Sequence, residues 1–280
     1  MVRKLIAIGG AEHKDITKDL AVLERVISEL NTKNPHIELI PTASSIPQEV
    51  STDYMKVFQH LGIKNAHVMN IRKRNLVSRE EYLDRLNVAD LVFFSGGNQS
   101  NISEAFLGTY FLKHLKKRYQ HEGLVIAGTS AGAMALSKIM IKGGNATDSF
   151  SKDSIDIGEG LNFLEHTIID THFLQRGRFG RLIHSVAKHP NLLGLGLSEN
   201  TGVIIKNENE IEVIGTSMAF VVDGSQHQNN TLPHSSPKQL FRVDNIKINS
   251  LKHGDTMSLF QPKNQSNQTA NVSVSQYPDF

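Results

Sequence analysis

The chain has 280 residues, 39% of them hydrophobic, enough for a sizeable core in one or two domains. Lys and Arg number 30 against 28 Asp and Glu, and a net charge of +2 gives no basis for a polyanionic partner such as nucleic acid. The absence of cysteine excludes disulfides, thiol catalysis and cysteine-ligated metal.

Leu5 to Ile8 is an apolar run ending in Gly9-Gly10, which predicts a first buried strand. The glycines lack the G-x-G-x-x-G spacing of a dinucleotide site. The apolar part of Met1 to Gly10 is too short for a secretory signal, and no run approaches the ~20 residues of a membrane span, so a soluble, cytoplasmic protein is expected. Leu20, Leu23, Val26, Ile27 and Leu30 recur at helical spacing. His36 to Ile40 predicts a second strand, stopped by Pro41, and Thr42 to Pro47 a loop. Tyr54, Val57, Phe58 and Leu61 predict a helix closed by Gly62, and His67 to Ile71 a third strand. Arg72-Lys73-Arg74 has too few charges for a nucleic-acid patch and reads as a solvated turn.

Tyr82 to Leu86 predicts a short helix, and Leu91 to Phe94 a fourth strand ending in Ser95-Gly-Gly-Asn-Gln99. One helix is expected over Ile102 to Leu115. Leu124 to Ala127 is a buried-strand run that leads into Gly128-Thr-Ser130-Ala-Gly132, a G-x-S-x-G. In a strand–Ser–helix turn of that kind the glycines let strand and helix approach while the serine is held in a strained conformation. Alone, the five-residue pattern is also that of an ordinary Gly-rich turn. Gly143-Gly144 and the polar stretch to Asp156 are expected to form a long loop at the rim of a site. Thr167 to Asp170 predicts a strand, Phe179 to Ala187 a helical stripe, and Leu193 to Leu197 a strand ending in Ser198-Glu199-Asn200.

Beyond Gly202 the texture changes to short strands divided by Gly and Asn turns, an antiparallel C-terminal extension of the same domain. Residues 263–280 are rich in Gln, Asn and Ser and are expected to be a disordered tail, leaving 1–262 as a single domain. The fold class is therefore α/β, a mostly parallel sheet with helices on both faces.

In such sheets ligands bind beyond the carboxyl ends of the strands. Gly96 to Gln99, Ser130, Asp170 to His172 and Glu199 all follow strands at that end. A serine hydroxyl needs a base, and among 13 histidines His172 is preferred because it directly follows a strand. The imidazole needs a carboxylate to fix its tautomer. Glu199, at the next strand end, is preferred to Asp170, which is too close along the same strand to reach the far nitrogen. An oxyanion hole needs two N–H donors. Ala131 follows the nucleophile and supplies one, and Gly96-Gly97 fits the other. Arg176-Gly-Arg178-Phe-Gly-Arg181 is either the solvated face of a helix or a clamp for a carboxylate, which Arg forks bidentately.

With these stretches assembled, the chain resembles the cyanophycinase family, serine peptidases related to aspartyl dipeptidase. The matching passages are Ile8-Gly-Gly-Ala-Glu12, Pro41-Thr-Ala-Ser-Ser45, Phe93-Phe-Ser-Gly-Gly-Asn-Gln99, Gly128-Thr-Ser-Ala-Gly-Ala133, Asp170-Thr-His-Phe-Leu-Gln-Arg-Gly-Arg-Phe-Gly-Arg-Leu182 and Leu197-Ser-Glu-Asn-Thr201. The resemblance implies an exopeptidase that cuts cyanophycin, a poly-aspartate with arginine on each side chain, into β-Asp-Arg dipeptides. It implies a Ser130–His172–Glu199 triad with Gly97 and Ala131 at the oxyanion, no metal or other cofactor, and a homodimer. It also implies a substrate pocket made of Gln99, Asp170, Arg176, Arg178 and Arg181, with Asp170 suited to a substrate guanidinium. The family usually carries glutamine between the acid and the histidine. This chain has Thr171 there, a shorter side chain with a single hydroxyl. The alternative is an aspartyl dipeptidase-like enzyme acting on short Asp-containing peptides.

Overall fold

A computed structural model of the chain describes residues 2–77 and 79–260. The expected tail, 263–280, lies outside the described residues.

The apolar runs of the first half form β1 (Lys4–Ile8), β2 (His36–Ile40), β3 (Asn65–Val68), β4 (Leu91–Phe94) and β5 (Val125–Thr129). They lie in the order β1-β5-β4-β2-β3 with every pairing parallel. Successive side chains of a strand point to opposite faces, and here each face is apolar. Leu5, Ala7, Val92, Phe94 and Ile126 belong to one core cluster. Ile6, Ile8, Leu91, Phe93, Val125 and Ala127 belong to the other. Both faces being buried is the reason these strands are near-continuous hydrophobic runs.

The second cluster is covered by α1 (Ala21–Ser28) and α2 (Pro47–His60) through Leu23, Val26, Tyr54 and Phe58. The first cluster takes α3 (Glu80–Val88), α4 (Gln99–Phe106) and α5 (Tyr110–His121) through Leu86, Phe106 and Leu115. The single helix expected over 102–115 is thus two. Gly108 turns at a φ of +69° between them, and the Thr109 side chain then caps α5 by accepting from Leu112 N–H at 3.2 Å. Helical spacing continues in phase across such a break, so periodicity alone does not reveal it.

Past the very short α6 (Ala131–Met134) the chain makes a hairpin of β6 (Ile139–Gly144) and β7 (Ile155–Glu159). The loop expected over 143–156 is only its tip, 145–154. That tip is fastened to α7 (Phe179–Lys188) and to the C-terminal region. The Ser149 carbonyl is 2.7 Å from His184 Nδ1, and the rings of Phe150 and Phe241 lie 5.6 Å apart.

The strands β8 (Thr167–Thr171) and β9 (Leu193–Leu197) do not continue the large sheet. They pair in parallel and form a second sheet, ordered β13-β12-β9-β8, with β12 (Ala219–Asp223) and β13 (Lys247–Leu251) antiparallel beside them. The reason lies at β1, whose free edge is taken by β10 (Thr201–Lys206) running antiparallel. Beyond β10 come β11 (Glu210–Gly215) and β14 (Thr256–Ser258). The antiparallel extension is therefore shared between the two sheets. Ile168, Ile169, Leu195 and Leu197 of the second sheet join the first core cluster, so both sheets pack into one interior.

Candidate active site

Ser130 stands on the turn between β5 and α6 at φ +51° and ψ −116°. Such a conformation in a residue with a Cβ costs on the order of 1–3 kcal/mol and persists only where the surroundings impose it. Close packing imposes it here. A Cβ on Gly128 would lie 2.6 Å from the Gly132 backbone, and one on Gly132 would lie 2.2 Å from the Phe94 carbonyl oxygen. Ser130 N–H in turn donates to the Ile8 carbonyl at 2.9 Å.

The two other preferred groups come from the second sheet. His172 directly follows β8 at φ +50°, and Glu199 follows β9. Ser130 Oγ is 2.9 Å from His172 Nε2, and His172 Nδ1 is 2.6 Å from Glu199 Oε1. In the neutral imidazole that fits both contacts, Nδ1–H donates to Glu199 and Nε2 accepts the serine proton. Burial holds the His172 pKa below the ordinary imidazole value, opposed by the Glu199 hydrogen bond and reinforced by Arg176 and Arg178. His172 is thereby kept neutral and able to accept a proton near pH 7.

The two residues expected at the oxyanion, Gly97 and Ala131, line one cavity with Ser130. Ala131 N–H opens α6. Gly97 sits at φ +139°, where a Cβ would be 2.0 Å from the Ala43 carbonyl oxygen. Asn98 N–H donates to that carbonyl at 2.8 Å, so the loop after β2 supports the Gly-Gly turn from behind. Among the described residues neither Gly97 N–H nor Ala131 N–H has a protein acceptor.

Sequence reasoning missed the piece that joins these segments, the end of β1. Ile8 O accepts from Ser130 N–H, Gly9 O from His172 N–H, and Gly10 O from Asn200 N–H, at 2.8–2.9 Å. The nucleophile, base and acid segments thus hang on three consecutive carbonyls. Gly10, at φ +96°, leaves room for the imidazole, since a Cβ there would be 2.6 Å from His172 Nε2. Glu12 follows, buried, with the hydroxyls of Tyr54 and Thr129 both donating to its carboxylate. The signal available in the sequence was the Gly-Gly pair at a strand end.

A cavity of about 280 Å³ opens beside Ser130, lined by Gly97, Gln99, Met134, Lys142, Thr171, His172 and the three arginines 176, 178 and 181, among others. Asp170 is not on its surface. It lies fully buried beneath the arginines and accepts from Arg181 Nε at 2.7 Å, Arg178 Nη1 at 3.1 Å and Thr171 N–H at 2.9 Å. Asp170 is therefore in no position to receive a substrate guanidinium, because four N–H donors of Arg178, Arg181 and Thr171 already occupy its oxygens. Thr171 is also fully buried, its hydroxyl donating to Met134 Sδ at 3.3 Å. The Gln99 amide donates to the carbonyls of Ile141 and Lys142 at 2.7 and 2.9 Å.

The arginines divide by what they touch. Arg181, almost fully buried, is held by Asp170 and by the Gly144 carbonyl at 3.2 Å. Arg178 bridges Asp170 and the Thr171 carbonyl, and burial, with Arg181 and Arg176 close by, lowers its pKa despite Asp170. Arg176 is exposed at the mouth of the cavity. The run is thus neither wholly a solvated face nor wholly a free clamp.

Comparison with known proteins identifies the family of the chain. Residues 5–213 match the model of peptidase family S51. The chain is 29% identical over 257 residues to the cyanophycinase of Trichormus variabilis, covering 92% of this chain and 86% of that one. It is 28% identical over 251 residues to the cyanophycinase of Geminocystis herdmanii, covering 90% and 92%. Among solved structures it is similar to a peptidase from an acI-B1 Actinobacterium, with a TM-score of 0.67 at 21% identity over 92% of this chain and 98% of that one. A putative peptidase E protein from Listeria monocytogenes aligns with a TM-score of 0.52 at 18% identity, over 78% and 100%. These two bear on the fold alone. The chain belongs to peptidase family S51 and is a serine-type peptidase.

Proposed function

For this S51 peptidase we propose the hydrolysis of cyanophycin to β-Asp-Arg dipeptides, through a Ser130–His172–Glu199 triad and an acyl-enzyme. The observation that carries the chemistry is the unbroken line Ser130 Oγ–His172–Glu199 beside two N–H groups without a protein acceptor. Ser130 Oγ attacks the scissile backbone carbonyl while its proton passes to His172 Nε2. The developing oxyanion is held by Gly97 and Ala131 N–H, each such donor contributing roughly 10²–10³ in rate. Collapse breaks the C–N bond, and His172 returns the proton to the leaving amine. Water, deprotonated by His172, then attacks the acyl carbon; the bond to Ser130 Oγ breaks, His172 returns the proton to Oγ, and the acid is freed. Glu199 keeps the proton on Nδ1 and stabilises the imidazolium.

The substrate rests on two supports. The cyanophycinases of other organisms align with nearly the whole chain, and the cavity is cationic, as an aspartyl substrate requires. The proposal includes a cytoplasmic homodimer, for which light scattering of the purified protein checks the stoichiometry. Incubation with insoluble cyanophycin, followed by mass spectrometry of the soluble fraction, tests the reaction. β-Asp-Arg should appear, and Ser130→Ala should lower its release by at least about 10⁴-fold. Turnover retained in that variant refutes the nucleophile. No release from a chain whose Ser130 still reacts with a fluorophosphonate probe refutes the substrate.

One observation favours a second reading, an aspartyl dipeptidase-like enzyme acting on short peptides. Among the described residues no carboxylate lines the cavity, so a substrate guanidinium has no partner there. Parallel assays on Asp-Leu and on cyanophycin separate the two.

A further inference from the structure

One buried carboxylate beside the site takes no part in the proton transfers. Glu12 is 2% exposed and lies two residues beyond Gly10, the last of the three residues whose carbonyls carry the nucleophile, base and acid segments. Its Oε2 accepts from Thr129 Oγ1 at 2.6 Å, and its Oε1 accepts from the Tyr54 hydroxyl on α2. A carboxylate accepts on both oxygens, so it can hold two hydroxyls at once. Burial first, and the Glu12 carboxylate next, push the Tyr54 phenol well above its ordinary pKa, so it stays protonated and donating. Lys14 Nζ, partly exposed, is 3.8 Å from Oε1.

Thr129 immediately precedes Ser130, and Ile8 is its partner in the β1–β5 register. Three links therefore close a ring: the Thr129 hydroxyl to Glu12, the chain from Glu12 back to Ile8, and the Ile8 carbonyl to Ser130 N–H at 2.9 Å. The ring runs through Ala11 at φ +51° and through Gly10, which packs against the His172 imidazole. A residue held as Ser130 is, at φ +51°, keeps its conformation only where its neighbours over-determine it. The contacts of Gly128 and Gly132 restrain the α6 side of the turn. The bond to Glu12 restrains the β5 side, where a β-branched side chain with a bonded hydroxyl is confined in χ1.

We propose that Glu12 is a positioning residue for the nucleophile, which through the Thr129 hydroxyl holds the Ser130 turn against the end of β1. Its polar side-chain contacts among the described residues are with Thr129, Tyr54 and Lys14, none of them a member of the triad. The assignment rests on the reading of Ser130 as the nucleophile. Loss of the Thr129 bond frees one side of the turn, and a displacement of about 1 Å at a catalytic group lowers the rate about 100-fold.

The rate constant for labelling of Ser130 by a fluorophosphonate, measured on the intact protein well below each Tm, tests this without any peptide substrate. Glu12→Ala would leave a cavity and two unpaired hydroxyls, so the substitutions are made at its partner. Thr129→Val keeps the shape of the side chain without the hydroxyl and should slow labelling at least about ten-fold, whereas Thr129→Ser, which keeps the hydroxyl, should stay within about three-fold of wild type. Arg85→Met strips the buried Glu38 of its guanidinium partner on elements that carry no triad residue. It should lower Tm but leave labelling within about two-fold of wild type. Labelling of Thr129→Val within about three-fold of wild type overturns the proposal, as does Thr129→Ser as slow as Thr129→Val. Equal slowing in Arg85→Met makes lost stability the cause and has the same consequence. A wild-type chain that takes no label on Ser130 refutes the nucleophile, and the positioning role with it.

Discussion

Replacing Asp170 by Asn separates two roles that resemblance and structure assign to one residue. As a substrate ligand, Asp170 would contribute to KM for arginine-bearing peptides and little to stability. The structure makes it the buried counter-ion of Arg181 and Arg178, with no exposed surface. Removing one partner of a buried ion pair leaves an uncompensated charge inside and costs about 3–5 kcal/mol. For a chain of this size that corresponds to a fall in Tm of roughly 6–20 °C. The amide aggravates the loss, because its NH₂ faces a guanidinium where an oxygen had accepted. The assay is urea denaturation of wild type, Asp170→Asn, Arg181→Met and the double variant. The cycle should give a coupling of about 1–3 kcal/mol, since the two side chains are in direct contact. Asp170→Asn unfolding within about 0.5 kcal/mol of wild type, with KM raised only for arginine-bearing peptides, would refute the structural assignment and return Asp170 to the substrate.

Three further predictions follow from the same geometry. His172, His184 and His189 are held below their ordinary pKa first by burial, with nearby cations adding to it at each. The unfolded chain therefore binds more protons than the folded one between those lowered values and about 6.5, and stability, fully present above that range, should fall as pH drops through it. The acid limb of kcat/KM should accordingly lie below the ordinary imidazole value of about 6.5, and Arg176→Met should move it upward; an unmoved limb removes Arg176 from the electrostatics of the base. Gly10→Ala would bring a Cβ to 2.6 Å from the His172 ring. A displacement of about 1 Å at a catalytic group lowers kcat about 100-fold, which stopped-flow or fluorophosphonate labelling would detect, and an unchanged rate would mean that the end of β1 does not set the position of the imidazole.

Much of this molecule is local in origin. The apolar runs that became β1 to β5 are legible because strands buried on both faces must be hydrophobic throughout. The turn at Ser130 is legible because only glycine at 128 and 132 lets β5 and α6 approach so closely. Placing His172 and Glu199 at strand ends needed only the runs before them. The break between α4 and α5 escaped because Gly108 interrupts the hydrogen bonding of the helix while the apolar spacing continues across it.

What the tertiary structure alone decided is where distant strands meet. Antiparallel β10 takes the edge of β1, so β8 and β9 form a second sheet, and His172 and Glu199 reach Ser130 from across the interior. The carbonyls of Ile8, Gly9 and Gly10 then set the spacing of the three segments. Asp170 sinks beneath its arginines, although nothing in its local sequence distinguishes a buried counter-ion from a pocket ligand. Periodicity and turn chemistry are fixed by residues a few positions apart. Strand order, burial and charge pairing depend on groups brought together only when the two sheets close on a common core.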